Sequence, residues 1–232
     1  MKHYTAQKLL SLAKTYFEDE LATGHGEFII DKSKKVPSKK GELLEAYKNE
    51  ISSCIKCPLG KSRLNFVFGV GDPDAKLMFI GEGPGFDEDH QGEPFIGRAG
   101  KLLNKIIESI GLSRQTVYIA NIVKCHPMID PSDPEKHGND RPPTEEESKM
   151  CLPYLEKQIE IIAPKVICTL GNSALKPFVQ TELGISKVRG KFYDYKGIKL
   201  MPTFHPAALL RNPNLKKEVW DDIRAISAQL QK

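Results

Sequence analysis

Apolar positions along the chain alternate between short continuous runs and longer stretches of helical spacing. The runs typical of buried strands are residues 76–80 (KLMFI), 117–123 (VYIANIV), 165–170 (KVICTL) and 198–202 (IKLMP). Apolar side chains recur every three or four residues over 98–112, 144–162 and 214–231, and the last strand ends a predicted hairpin. Strand–helix alternation of this kind predicts an α/β fold with a mostly parallel sheet between helix layers.

Three polar elements follow strands of this predicted sheet. Gly81–Gly85 (GEGPG) comes after the first strand, Asn121 ends the second, and His205 comes after the last. Ligands of open parallel sheets bind beyond the carboxyl ends of the strands, so we expect these elements to converge. The glycines resemble neither a dinucleotide fingerprint nor a phosphate loop. They form either a plain tight turn or a backbone floor that a planar ligand can approach closely.

Composition limits the possible classes of protein. The chain has 232 residues, 40% of them apolar, which excludes a disordered chain, and its net charge of +4 permits nucleic acid as a partner without requiring it. No apolar run is long enough to span a membrane. Residues 1–22 predict an amphipathic helix rather than a signal peptide, so the expected location is cytoplasmic.

The N-terminal part differs in composition from the rest. Residues 23–41 are polar, Lys-rich and broken by Gly and Pro. They predict a solvated tether, with a DNA-contacting arm as the alternative. The expected organisation is therefore an extension over 1–42 and a folded domain over 43–232.

The cysteines suggest a metal site. An odd number of them, five, argues against a disulfide framework in a cytoplasmic protein. Cys54 and Cys57 form a local chelating pair, while Cys125 and Cys151 flank the second strand and its following helix. Four thiolates can close a zinc site or an iron–sulfur cluster, and spacing does not separate the two; unrelated reduced thiols are the alternative. Cys168 lies inside an apolar strand and is expected to be a core residue.

Two further segments could contact a flat base or DNA. Phe95 lies in an acidic loop, where its ring either fills the core or stacks on a ligand. His205 is followed by Leu209, Leu210 and Arg211, which could supply a wedge into a base stack and a phosphate contact. The alternatives are a structural histidine and an ordinary first turn of a helix.

Four separated motifs, in this order, carry a resemblance to a known family. They are GEGPGFDEDHQGEPFIGRAG, NIVKCHP, VICTLGNSAL and FHPAALLRNP, preceded by a CxxCPLG segment at Cys54. Over residues 43–232 the chain resembles the family 4 uracil-DNA glycosylases of archaea and bacteria. The resemblance implies a three-layer α/β/α sandwich with a central, mostly parallel four-stranded sheet. It also implies a 4Fe-4S cluster, whose ligands by position would be Cys54, Cys57, Cys125 and Cys151.

The resemblance also implies a uracil pocket on the glycine loop. Its floor would be the backbone of Gly81, Glu82 and Gly83, and Phe95 would stack on the base. Glu88 matches the family position that excludes the 5-methyl group of thymine.

The chemistry expected of this pocket assigns catalytic roles to three residues. Cleaving the N-glycosidic bond leaves negative charge on uracil O2, which His205 would stabilise by a hydrogen bond. Asn121 would donate to O4 and accept from N3–H, a pattern that cytosine reverses. Glu82 is a candidate for an electrostatic role beside the positively charged sugar.

The chain departs from the family pattern at several positions. Gly83 stands where better-known uracil glycosylases carry an Asp that guides water, and Phe86 stands where an acid is common. The loop 128–143 is longer than usual and contains His137. A related family traps its product covalently through a histidine in this region, so such an adduct is an alternative outcome.

The sequence therefore predicts a monomeric DNA-repair glycosylase that removes uracil from double- or single-stranded DNA and leaves an abasic site. A sliding clamp or an abasic-site nuclease is a possible partner. The alternatives are a glycosylase for another deaminated base such as hypoxanthine, a non-catalytic uracil- or DNA-binding module, and a zinc-binding DNA module.

Overall fold

The computed structural model describes residues 38–232, together with helical positions 11, 13–15 and 18. The chain divides into two compact units, Met1–Val36 and Pro37–Lys232. The rest of the helix predicted over 1–22, and most of the tether predicted over 23–41, lie outside the described residues. In the part of the chain from residue 38 onward, no helix is long and apolar enough to cross a membrane.

The helices of the second unit vary from one turn to five. In chain order they are α1 (Lys39–Ile51), α2 (Leu59–Ser62), α3 (Phe86–Gln91), α4 (Arg98–Glu108), α5 (Glu145–Ile162), α6 (Asn172–Leu175), α7 (Ile185–Val188), α8 (Pro206–Arg211) and α9 (Lys216–Leu230), with a 3₁₀ turn at Pro213–Leu215 before the last.

The strands form one sheet of mixed direction. They are β1 (Val70–Gly71), β2 (Leu77–Gly81), β3 (Tyr118–Asn121), β4 (Val166–Leu170), β5 (Tyr193–Tyr195) and β6 (Ile198–Thr203), in the spatial order β1-β3-β2-β4-β6-β5. The central strands β3, β2, β4 and β6 are parallel, and the two edge strands are antiparallel. The predicted α/β class is confirmed, but the sheet has six strands rather than the four that the family resemblance implies. β5 belongs to the predicted hairpin, whereas β1, with two residues, leaves little pattern in a sequence.

Helices cover both faces of this sheet. Every residue of β2 and β4 is buried, as expected for strands enclosed on both sides. One core cluster joins the sheet to α1 and α5 through side chains such as Leu44 and Leu155. The other joins it to α4 and α9 through side chains such as Leu103 and Ile223. The result is a three-layer α/β/α sandwich.

Two helix starts are set by side-chain caps. The Ser38 hydroxyl accepts a hydrogen bond from Gly41 N, so α1 begins at Lys39, within the segment 23–41 that the sequence predicts to be a tether. The Thr144 hydroxyl accepts from Glu147 N, and the Glu147 carboxylate accepts from Thr144 N. This reciprocal cap begins α5 where the sequence predicts it.

The parallel strands all end on one edge of the sheet. Their last residues are Gly81, Asn121, Leu170 and Thr203. The segments that follow them carry the polar elements singled out in the sequence, and these elements therefore share one rim of the molecule.

Candidate active site

Gly81 and Asn121 lie side by side at the ends of neighbouring strands. They are register partners in the β2–β3 pair, and Ile122 N donates to Gly81 O over 3.0 Å. A Cβ built at Gly81 would lie 2.4 Å from Asn121 Oδ1 and 2.4 Å from Phe95 Cζ. The absence of a side chain at Gly81 is therefore what lets the amide and the ring approach the strand.

Phe95 is held in an unfavourable backbone conformation. Its φ of 55° lies in the left-handed region, which a bulky residue rarely adopts, and its side chain is buried. Arg114 donates to the carbonyl oxygens of both Pro94 and Phe95. A Cβ at Gly100, on α4, would lie 1.8 Å from Phe95 O. A cation and a glycine from outside the loop thus stabilise the strained ring-bearing residue.

His205 caps α8 and lies next to the same ring. Its ring centroid is 5.6 Å from that of Phe95, and its Nδ1 accepts a hydrogen bond of 3.1 Å from Ala207 N. Burial, reinforced by the positive charge of Arg211, lowers the pKa of His205 to about 4. At neutral pH the ring is therefore uncharged, and because Nδ1 is an acceptor the proton resides on Nε2.

Polar atoms near this point lack partners. Within the described residues, both side-chain polar atoms of Asn121 and the Oε1 atom of Glu82 are buried without a hydrogen bond. A buried polar atom left unpaired costs about 1–3 kcal/mol, so native proteins rarely leave such atoms empty without a reason. A bound polar molecule that supplies donors and acceptors would remove this cost.

The rest of the glycine loop is tightly packed. A Cβ built at Gly83 would lie 2.7 Å from Val123 Cγ2, so an Asp at this position would require Val123 to move. The Glu88 carboxylate accepts hydrogen bonds from Gly85 N, Ile96 N and Gly97 N at 3.0–3.1 Å. Glu88 thereby closes the loop, while its exclusion of a 5-methyl group stays a prediction.

The long loop 128–143 packs against α3. The Phe86 ring lies between those of His90 and His137, with centroids 4.0 and 3.9 Å away. Phe86 N donates to Asp140 Oδ1, which is also 2.7 Å from His126 Nε2. The exposed His137 thus stacks on the Phe86 ring, and a covalent role for it stays a prediction.

A buried cation joins the two loops. His126 is fully buried, with Nδ1 3.5 Å from Asp89 Oδ2, and Asp89 also accepts from Leu64 N and Asn65 N. Although burial alone would lower it, the carboxylates of Asp140 and Asp89 raise the pKa of His126 to about 9. The imidazolium therefore cross-links α3 to the segment after β3 at neutral pH.

The four predicted cluster ligands line one small cavity. Cys54, Cys57, Cys125 and Cys151 come together there with Tyr154, while Cys168 is buried in β4. Within the described residues, no group of three or more His, Cys, Asp or Glu side chains is arranged to hold a metal ion.

Donors already face the sulfur atoms of this cavity. Arg63 Nη1 is 3.2 Å from Cys125 Sγ, and the Tyr154 hydroxyl is 3.2 Å from Cys54 Sγ. Burial raises the pKa of the Cys125 thiol to about 12, against the opposing effect of Arg63. Such donors favour thiolate over thiol, so the residues fit a group bound through sulfur.

The segment predicted to contact DNA is only partly exposed. Leu209 is buried in the core, whereas Leu210 is 43% exposed and Arg211 is exposed. Of the two candidate wedges, Leu210 is thus the side chain available at the surface. Contact with DNA stays a prediction for all three residues.

Sequence reasoning missed several residues that shape the site. Arg114 and Gly100 hold Phe95, and Arg63 contacts the cysteine cavity. The spacing of Gly100 within the motif PFIGRAG was the one available signal, because a glycine inside a helix requires a reason. The residues next to Arg63 and Arg114 in the sequence gave no indication of these contacts, since the partners of the two arginines are distant in sequence.

Comparison with known proteins identifies the class that this fold and site define. A family model described as the Uracil DNA glycosylase superfamily matches residues 68–224, and the chain belongs to that superfamily.

Within it the chain resembles proteins named Type-4 uracil-DNA glycosylase. That of Sulfurisphaera tokodaii is 46% identical over 195 residues, covering 80% of this chain and 84% of the relative. Those of Thermotoga maritima and Archaeoglobus fulgidus are each 43% identical, over 82% and 80% of this chain and 96% and 92% of the relatives. The chain is therefore a member of the type-4 family, which confirms the resemblance drawn from the motifs.

Proposed function

We propose that this protein removes uracil from DNA by hydrolysing the N-glycosidic bond, leaving an abasic site for base excision repair. The single observation that carries the proposal is Asn121, a buried amide with both polar atoms unpartnered, beside the Phe95 ring at the rim of the sheet. A flipped base would supply a planar face for the ring and polar atoms for the amide.

Base selection is assigned to Asn121. Its carboxamide donates to uracil O4 and accepts from N3–H, whereas cytosine presents the opposite pattern at these positions. A site built on such pairing can reject the wrong base by about 10⁴-fold, because mismatched polar groups would remain buried and unpaired. The target base reaches this position only outside the helical stack.

Stabilisation of the leaving group is assigned to His205. As the bond from C1′ to N1 breaks, its electron pair moves onto the base and negative charge develops on O2. The neutral ring of His205 donates from Nε2 because Ala207 N–H occupies Nδ1. A donor held in place before the reaction is worth roughly 10²–10³-fold in rate.

Stabilisation of the positive charge that develops on the sugar is assigned to Glu82. Its Oε1 is buried without a partner, and the neighbouring Gly83 has no space for a carboxylate while Val123 stays in place. A carboxylate favours the oxocarbenium-like transition state. In this proposal Glu82 also orients the water whose oxygen bonds to C1′, and the proton that this water loses ends on the departing uracil anion.

The cysteine cavity is proposed to hold a 4Fe-4S cluster. Cys54, Cys57, Cys125 and Cys151 would be its ligands, and the donors at Arg63 support sulfur ligation. When bound, the cluster would cross-link three segments distant in sequence; its part in this proposal is structural.

DNA binding and partners belong to the same proposal. Leu210 would fill the space that the flipped base leaves, and Arg211 would contact a phosphate. We propose a monomer acting on double- or single-stranded DNA in the cytoplasm, with a sliding clamp or an abasic-site nuclease as a possible partner.

One experiment tests the proposed reaction. An end-labelled oligonucleotide with one uracil is incubated with the purified protein and then cleaved with alkali, beside Asn121→Ala and His205→Ala. Matched oligonucleotides carry cytosine, thymine or hypoxanthine. We expect strand cleavage at uracil and a loss of at least about 10²-fold in each variant.

The same gel separates the alternatives. Absence of cleavage by the wild type contradicts the proposal, and cleavage at hypoxanthine but not at uracil assigns another base. A protein–DNA adduct that survives denaturation and disappears in His137→Ala indicates covalent trapping.

A further inference from the structure

The direction of the Asn121 side chain depends on its backbone. Among the described residues, nothing forms a hydrogen bond with its carboxamide. The neighbouring strand β1 pairs only with Tyr118 and Ile119, so the Asn121 carbonyl lies beyond the end of that ladder. The N–H of the same peptide group, on Ile122, donates to Gly81 O in β2, so the carbonyl side is the one that needs a partner outside the sheet.

A buried lysine holds that carbonyl. Lys124 is fully buried, and its Nζ donates to Asn121 O over 2.8 Å and to Gln158 Oε1 over 2.6 Å. Burying an ammonium group is costly unless it forms hydrogen bonds, and these two contacts are the ones that it makes in the described structure. A lysine placed here for packing alone would be a poor choice, since Met has nearly the same shape and no charge.

Gln158 is itself fixed in one orientation. Its Nε2 donates to Phe68 O over 2.9 Å, which leaves Oε1 to accept from Lys124. Gln158 lies on α5, two turns after Cys151, and Lys124 directly precedes Cys125. The lysine therefore stands between the cysteine cavity and the residue that is assigned to read the base.

We propose that Lys124 is a positioning residue for Asn121: its hydrogen bond to the Asn121 carbonyl, anchored through Gln158, aims the unpartnered carboxamide at the base. This inference rests on the proposed function. Removing the ammonium leaves two buried acceptors without a donor, while the bond from Ile122 N to Gly81 O remains, so we expect the carbonyl side of the peptide group at the end of β3 to shift. A displacement of about 1 Å at a reacting group can cost as much as 10²-fold in rate.

The test is a double-mutant cycle between Lys124→Met and Asn121→Ala. We expect Lys124→Met to lower the single-turnover rate of uracil release by about 10–100-fold, with KM changed by less than about threefold. In the Asn121→Ala background the same change should lower the rate by less than about threefold, because the amide to be positioned is gone. Equal factors in the two backgrounds would overturn the inference.

A matched control separates positioning from loss of stability. Leu155→Ala removes a buried side chain of α5, on the same side of the sheet, that touches neither Lys124 nor Asn121 through a polar contact. At an equal fall in melting temperature, we expect Leu155→Ala to keep its rate within about threefold of the wild type. A loss as large as that of Lys124→Met would overturn the inference.

A second variant covers loss of the cysteine-bound group. The absorbance at about 400 nm, divided by the protein concentration, measures how much of the cysteine-bound group each variant contains. If Lys124→Met loses this absorbance, Gln158→Met leaves the lysine and the cysteines unchanged and removes the anchor, together with the Gln158 hydrogen bond to Phe68 O. We then expect Gln158→Met to lower the rate less than Lys124→Met does, and to cause no further loss in the Asn121→Ala background. Losses of rate that multiply in the double variant would overturn the inference. Absence of uracil release by the wild type would instead contradict the proposed function.

Discussion

Gly81→Ala tests whether the bare backbone at the end of β2 makes the base pocket possible. The added methyl carbon would lie 2.4 Å from both Asn121 Oδ1 and Phe95 Cζ, against 3.4–4 Å for an ordinary contact. Each partner must therefore withdraw by about 1 Å, a displacement that can cost about 10²-fold in rate. The backbone of Gly81 is not in the left-handed region, so the effect is steric rather than conformational.

The assay for this prediction is single-turnover release of uracil from a labelled oligonucleotide, together with a thermal melt. We expect the rate to fall by about 10²-fold and the stability by about 1–3 kcal/mol, the usual cost of overpacking. Gly184→Ala is the matched control, because a Cβ there meets no atom within 4 Å. A Gly81→Ala enzyme within threefold of the wild-type rate would show that the close approach of Asn121 and Phe95 to the Gly81 backbone is not needed for uracil release.

Three other predictions concern the residues around the pocket and the cysteine cavity. Arg114→Met should lower the rate by about tenfold and also lower the melting temperature, because the strained backbone of Phe95 loses the hydrogen bonds that hold it. An unchanged rate would contradict this role of Arg114. The rate of the wild type should stay flat from about pH 7 to 5 and fall as the pH approaches 4, where His205 gains a proton on Nδ1, the atom that now accepts from a backbone N–H. A midpoint near pH 6.5 would contradict the lowered pKa of His205. Cys57→Ser should abolish absorbance at about 400 nm while Cys168→Ala, the buried control, keeps it; loss in neither variant would contradict the cluster.

The same lowered pKa of His205 has a consequence for stability. The histidine binds a proton less readily in the folded state than in the unfolded chain. Its neutral form therefore stabilises the fold above about pH 6.5, and this contribution is lost as the pH falls from 6.5 through 4. Melting curves of the wild type and His205→Asn should converge over that interval.

Local patterns predicted the parts of the molecule that depend on near neighbours. The strands β2 and β4 are continuous apolar runs, and α5 begins at a Thr followed three residues later by a Glu, so each carries its own signal. The rim residues Asn121 and His205 were also predictable, because parallel strands bring their carboxyl ends to one edge.

Other features could not be read from neighbouring residues. The strand β1 has two residues, too few for an alternating pattern, and exists because β3 offers it partners. Nothing in the acidic loop indicated that three backbone N–H groups of the loop bind the Glu88 carboxylate, and its role as a gate beside the base stays a prediction. Lys124 gave no sign of its fully buried position, which residues of β3 and α5 create.

The division follows from the range of the forces involved. Apolar periodicity and helix caps act over a few residues, and for this reason the sequence was sufficient for the α/β class and the helix at Thr144. The approach of Asn121 and Phe95 to Gly81, and the hydrogen bond that anchors Lys124 to Gln158, arise between residues 14 to 40 positions apart, where packing chooses the partners. Only the folded chain determines which polar atoms are left unpaired, and the proposed site rests on those of Asn121 and Glu82.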